Sequence, residues 1–172
     1  MNVNNRKIIL ISGGSCSGKT TLSKGFKNAT ILSTDDFYVG IDKMAKPYNF
    51  DEPRAVDLNR LYNALCKLKK GNNTVIPKYS MLKMKPAGYQ TVKPKDIIIV
   101  EGIFTLRDEK IRDLADLKIY INTPRKERLT RRIKRDIIKG RNEKETRKHS
   151  VIVDKMHRIY VEPQKKYADL VI

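Results

Sequence analysis

The chain has 172 residues, 40% of them hydrophobic, with 37 Lys and Arg against 19 Asp and Glu, a net charge of +18. That length suffices for one domain with a real core; no apolar run approaches a membrane span and the first ten residues do not read as a signal peptide, so no membrane partner and a cytoplasmic location are expected. Two cysteines, Cys16 and Cys66, without metal spacing exclude a disulfide framework and a zinc site.

In chain order, the apolar run Lys7 to Ser12 is predicted to be a buried parallel strand. It leads into Gly13-Gly14-Ser15-Cys16-Ser17-Gly18-Lys19-Thr20, after which Thr21 to Phe26 can start a helix. The pattern G-x-x-x-x-G-K-[ST] is complete and sits in the strand–loop–helix context it needs, which a chance Gly-rich turn would lack. Residues Gly13 to Thr21 are therefore expected to bind a nucleoside triphosphate. The glycines let backbone N–H groups turn toward a phosphate and the helix N-terminus adds partial positive charge. Lys19 reaches the β- and γ-phosphates, and the Thr20 hydroxyl can ligate Mg²⁺. Cys16 reads as a filler residue of this loop.

Thr30 to Thr34 is predicted to be a second short strand ending at Asp35-Asp36-Phe37-Tyr38. Chemistry in open α/β sheets gathers beyond the carboxyl ends of the strands, which puts both acids near the transferred phosphoryl group. Neighbours on an extended chain point opposite ways, so one carboxylate should face the substrate and the other the metal shell or solvent. The loop over residues 39–53 contains Tyr48-Asn49-Phe50-Asp51. A helix should follow with Leu58, Leu61, Tyr62, Leu65 and Leu68 on one face, closing at Lys70-Gly71. On spacing alone Asp51 reads better as the cap of that helix, with Pro53 in its first turn, than as a site residue. Thr74 to Ile76 and Tyr89 to Val92 are strand-like, with Pro77, Tyr79, Met81, Met84, Pro86 and Gly88 between them. Residues 74–93 thus read as an inserted β-hairpin that covers a substrate; a plain solvent-facing hairpin would leave Met and Tyr with nothing to touch.

Asp96 to Gly102 is the most apolar run and should be a central strand. Glu101 ends it, where P-loop proteins place an acid associated with Mg²⁺. A helix around Asp108 to Leu114 and a strand from Leu117 to Ile121 follow. Thr123-Pro124 then opens a long basic helix in a lid region spanning residues 125–148. Arg128, Arg132 and Arg135 recur there at i, i+4 and i+7, with Arg131 on a neighbouring face and Gly140-Arg141 ending the run. Such a stripe suits a polyphosphate clamp; the alternative is a solvated face paired with Glu127 and Asp136. A last helix is predicted over about Val151 to Val161 and a closing strand over Tyr167 to Ile172. His149 and His157 fall outside any metal pattern and read as surface residues. The high positive charge raises the question of nucleic acid, but no aromatic platform or paired-zinc module accompanies it, so nucleic acid is not the expected partner.

Taken in order, G-G-S-C-S-G-K-T, L-S-T-D-D-F-Y, Y-N-F-D-E-P-R-A-V-D, P-K-Y-S-M, V-E-G-I-F, R-L-T-R-R-I-K-R-D-I and K-K-Y-A-D-L-V-I resemble the uridine/cytidine kinase family of P-loop nucleoside kinases. The resemblance covers nearly the whole chain. The Walker motif is shared by many NTPases; D-x-F-Y, N-F-D-x-P and R-R-x-x-R-D together are much more specific. The resemblance implies an α/β, three-layer P-loop NTPase fold with a parallel sheet of about five strands, an inserted hairpin and a helical arginine lid, forming one kinase domain over residues 1–172. It implies ATP (or GTP) and Mg²⁺, with a small-molecule nucleoside as acceptor at its 5′-hydroxyl.

Residue by residue, Asp35 matches the family's general base, and Tyr38 and Tyr79 match aromatics lining the nucleoside site. Asp51 matches the carboxylate on the ribose hydroxyls, against the cap role that spacing favours. Glu101, with Thr20, matches the Mg²⁺-associated pair; Lys19, Arg132 and Arg135 match groups that stabilise the transferred charge, and Arg141 matches a further substrate-binding lid arginine beyond a one-residue contraction. The hairpin departs from the family pattern. Ser80, Met81 and Met84 stand where an acid, an aromatic and a base-reading histidine are expected, which implies a relaxed base preference. Nicotinamide riboside kinases share a D-D-F sequence and are the nearest alternative; a basic, nucleic-acid-binding regulatory P-loop NTPase is the alternative from another class. A homo-oligomer is compatible with the sequence.

Overall fold

Apolar runs that alternate with helix-forming segments give parallel strands buried on both faces. The computed structural model describes residues 6–172, so the reading of the first ten residues falls partly outside them. The strand β1 (Lys7–Gly13) enters the Gly-rich loop and α1 (Lys19–Lys24), and β2 (Ala29–Ser33) enters a 3₁₀ turn over Thr34–Phe37. Then come α2 (Leu58–Lys69), β3 (Thr74–Ser80), β4 (Lys85–Val92), β5 (Ile97–Glu101), α3 (Glu109–Leu114) and β6 (Leu117–Ile121). The remaining elements are α4 (Arg125–Ile138), α5 (Glu143–Met156) and β7 (Leu170–Val171). Five strands form one parallel sheet in the order β2-β5-β1-β6-β7, while β3 and β4 pair antiparallel as the inserted hairpin.

Residue alternation separates the two faces of the sheet. Ile8, Leu10, Ile98 and Val100 join Leu61, Leu65 and Leu68 of α2 and Ile111 of α3 in one fully buried cluster. Ile11 and Ile99, one position out of phase, are equally buried outside that cluster, toward the opposite layer. Each buried aliphatic side chain contributes about 1.5–3 kcal/mol by leaving water.

Two expectations are corrected. The α2 cap is Asp57, whose carboxylate accepts from the Arg60 N–H at 2.9 Å. A 3₁₀ turn over Pro53–Ala55 and a bridge between Val56 and Tyr38 move the helix start past Asp51. The last helix also begins earlier than about Val151. Asn142 caps it by accepting from the Lys144 N–H, and the Glu143–Arg147 pair closes its first turn. It then continues as a wide π turn over His157–Val161 and a 3₁₀ turn over Glu162–Tyr167. Among the described residues no helix is long and apolar enough to cross a membrane.

Candidate active site

Register brings the reactive groups together. Ser33 of β2 and Ile11 of β1 both lie opposite Glu101 of β5, so β2 and β5 end just where β1 is about to enter its loop. The loop after β1, the acids after β2 and the Glu101 carboxylate therefore share one edge of the sheet. Gly102 tightens the arrangement: a Cβ there would fall 1.8 Å from the Thr34 Oγ1, so only glycine lets the 3₁₀ turn carrying Asp35 pack against the end of β5.

In the Gly-rich loop, Lys19 is buried and its Nζ donates to the Gly14 carbonyl at 2.8 Å. Burial lowers the Lys19 pKa, against the pull of the nearby Glu101 and Asp35 carboxylates. The Thr20 hydroxyl donates to Glu101 Oε1 at 3.2 Å, and Glu101 is itself buried at the strand end. A hydroxyl and a carboxylate at the mouth of a phosphate loop are hard oxygen donors of the kind Mg²⁺ takes, so this pair fits the ion. A cleft of about 640 Å³ opens beside Cys16, Gly18, Lys19, Thr20, Thr21 and Leu22, with Arg131 and Arg135 over it. Ser15 and Ser17 complete the loop, the latter buried.

The two adjacent acids have different surroundings. Asp35 reaches solvent yet stands amid enough protein that desolvation is the main influence on it; with Glu101 adding repulsion, its pKa rises to about 6. Lys19 and Arg135 act in the opposite direction. Asp36 is half-buried, which raises its pKa; it accepts a hydrogen bond from the Tyr79 backbone N–H, with Lys78 close by, both drawing that pKa back, and so ties the 3₁₀ turn to the hairpin. The turn replaces the extended backbone assumed from sequence.

Aromatic rings form the next wall. Tyr38 lies 5.4 Å from Phe50 edge-on and 5.5 Å from Tyr79, ring centre to ring centre. Burial raises the Tyr38 pKa, reinforced by Asp35 and Asp51, while Arg132 pulls it back. Asp51 is raised by burial and drawn down by Arg132, His149 and Arg135. Asp35, Tyr38, Asp51, Tyr79 and Arg132 are thus one neighbourhood. Phe50, not singled out from sequence, belongs to it; its signal was its place in Tyr48-Asn49-Phe50-Asp51.

The α4 arginines divide their work differently from a single clamp. Arg132 is buried toward Tyr38 and Asp51, and Arg135 is held by Asp136 at 2.8 Å. Arg131 turns to the phosphate loop, donating to the Ser17 carbonyl at 3.3 Å and to Glu127 at 3.1 Å. Arg128 lies against Gly14. Arg141 is exposed and engaged at 3.7 Å by Asp136 rather than gathered with the ring cluster. Met84 sits exposed on the hairpin turn with φ +48°, its carbonyl accepting from the Ile41 N–H at 3.0 Å. His157 is corrected from the surface: it is half-buried, and burial beside Arg128 lowers its pKa to about 4. His149 is exposed, as expected.

Residues 8–172 match the profile of the Phosphoribulokinase / Uridine kinase family. The chain is 40% identical over 177 residues to a uridine kinase of Borrelia duttonii, covering 96% of this chain and 85% of that protein. It is 38% identical over 182 residues to uridine-cytidine kinase A of Dictyostelium discoideum, covering 99% of this chain but only 36% of that longer protein. A solved phosphoribulokinase from Rhodobacter spheroides superposes with a TM-score of 0.68 at 16% identity, over 96% of this chain and 69% of that one, a likeness that speaks for the fold.

Proposed function

The chain belongs to the phosphoribulokinase/uridine kinase family, and from that premise we propose that it transfers the γ-phosphoryl group of ATP to the 5′-hydroxyl of a ribonucleoside, uridine or cytidine. The observation that carries this reading is Asp35, a carboxylate with a pKa of about 6 beside Lys19 and Glu101 and next to the ring cluster. A base with that pKa is ionised at neutral pH yet still accepts a proton effectively.

The Gly13 to Thr21 loop holds the donor phosphates with backbone N–H groups. Lys19 exchanges the Gly14 carbonyl for phosphate oxygen, and Arg131, Arg132 and Arg135 supply positive charge from the lid side. Mg²⁺, for which Thr20 and Glu101 are the candidate residues, supplies charge neutralisation on the donor phosphates when bound. Tyr38, Phe50 and Tyr79 confine the nucleoside, and Asp51 accepts from its ribose hydroxyls. Asp35 accepts the 5′-hydroxyl proton as that oxygen bonds to the γ-phosphorus, while the bond to the bridging β–γ oxygen breaks. ADP and the 5′-monophosphate are the products. At the hairpin tip Met81, Leu82 and Met84 are exposed around Lys83, and neither methionine offers a strong hydrogen-bond donor, which supports a relaxed choice of base.

The paired variants Asp35→Asn and Asp36→Asn test the assignment. In folded protein, Asp35→Asn is expected to lower kcat by roughly 10²–10⁴-fold. Asp36→Asn keeps an oxygen for the Tyr79 N–H and should change kcat little. The reverse order of effects would show that the wrong carboxylate has been taken as the base.

A further inference from the structure

Arg128 shares the helical stripe of Arg132 and Arg135 but is spent on the protein itself. It is 6% exposed, and its Nε donates to the Thr123 carbonyl at 3.1 Å. A Cβ built on Gly14 would fall 2.7 Å from its Nη1 and 2.9 Å from its Cδ, so the side chain rests directly on the phosphate loop backbone. The Gly14 carbonyl is the group that receives Lys19 Nζ at 2.8 Å and the Ser17 N–H at 3.0 Å. Thr123, which accepts from Arg128, donates its own hydroxyl to the Ser17 carbonyl at 2.8 Å. Both ends of the loop are therefore braced by one bracket on the β6–α4 turn.

The counter-charge for that bracket comes from α5. Asp154 is 9% exposed, faces Arg128 Nη2 at 3.8 Å and also receives the Arg125 Nε. We infer that Asp154 is a positioning residue for donor binding: by holding Arg128 on Gly14 it fixes the loop peptide that carries Lys19. The inference rests on the phosphate loop's role in the proposed function. A buried guanidinium is tolerated only when paired. Without the carboxylate, Arg128 gains by turning to solvent, and Gly14, the residue that can least resist a change of backbone angle, loses its cover.

A brace of this kind and a simple α4–α5 cross-link differ in what they disturb. Loss of a cross-link lowers the melting temperature and leaves the affinity of the folded molecules intact. Loss of the brace weakens the donor specifically. Mg·ADP is titrated calorimetrically into wild type, Asp154→Asn, Arg128→Met and the double variant, a measurement that needs no acceptor. Asp154→Asn is expected to weaken Mg·ADP about tenfold, the scale on which a small misplacement of binding groups is felt. KM for ATP should rise with it while KM for the nucleoside stays put. In the Arg128→Met background Asp154→Asn should have no further effect, because the two act as one unit. Folded Asp154→Asn that binds Mg·ADP like wild type overturns the inference, as do additive effects in the cycle. If Asp154→Asn does not fold, Arg128→Lys is read in the same titration, and unchanged affinity overturns the inference there. A wild type that binds Mg·ADP but phosphorylates no nucleoside contradicts the proposed function and leaves the brace standing.

Discussion

Asp35, proposed as the base, is the carboxylate expected to set the pH behaviour of the site. Asp35 carries a pKa of about 6, so its base form is lost as pH falls through that value. The kcat/KM of the enzyme should show an acidic limb with a midpoint near 6, absent in any residual activity of Asp35→Asn. The same shift has a stability cost of definite sign. The folded pKa lies above the ordinary carboxylate value of 3.8, so the folded state holds the proton more tightly, and the stability this gives fades as pH rises through about 6. Asp35→Asn is therefore expected to melt higher than wild type at pH 7.5 and no higher at pH 3.5; a lower melting temperature at pH 7.5 would contradict the strained-carboxylate reading. Lys19, Thr20 and Asp35 were legible in the sequence because their signals are local: eight consecutive residues define the loop, and Asp35 directly follows a strand. The direction of Asp36 was not legible. It depends on a 3₁₀ turn that no periodicity announces and on a hairpin more than forty residues away along the chain.

Elements were read well where an apolar period is long and poorly where a cap decides. The α2 stripe of Leu61, Leu65 and Leu68 marks its helix, yet spacing points to Asp51 as the cap although Asp57 stands directly before Leu58. Asp57 makes the cap bond at 2.9 Å, while Asp51 stands half-buried among Arg132, His149 and Arg135. Asp57→Ala is accordingly expected to cost about 1 kcal/mol of stability, measured by denaturant unfolding, with turnover of the folded fraction retained. Asp51→Ala should do the opposite, leaving stability nearly unchanged or improved and raising KM for the nucleoside. If Asp51→Ala costs stability instead and leaves that KM unchanged, Asp51 serves the fold rather than the nucleoside. The start of α5 escaped notice for a related reason. Asn142-Glu143 is a modest capping signal inside a run of Lys and Arg that reads as one basic region, and the first turns of α5 lack an apolar stripe strong enough to mark it.

At the scale of the whole molecule, sheet order places the site, and sheet order is the property least visible in a sequence. Apolar runs announce buried strands but not which strand lies beside which. The order β2-β5-β1 brings Asp35, Glu101 and Lys19 to a common edge, and the expected parallel sheet of about five strands carries no such order. The net charge of +18 is a second molecular property, and the α4 arginines absorb part of it within the protein. Binding to nonspecific RNA or DNA should be weak and erased by about 0.2 M salt, where phosphate contacts are strongly weakened. Fluorescence anisotropy with a labelled oligonucleotide checks this, and tight binding surviving that salt would restore nucleic acid as a partner. The central claim is the transfer of a phosphoryl group to a ribose 5′-hydroxyl. It is tested most directly by incubating the protein with Mg·ATP and either uridine or 5′-deoxyuridine and identifying the products by mass. The expected result is uridine 5′-monophosphate in step with ADP from uridine, and no phosphorylated product from 5′-deoxyuridine. Phosphorylation of 5′-deoxyuridine, or no monophosphate from any riboside by folded protein that binds Mg·ADP, would contradict it.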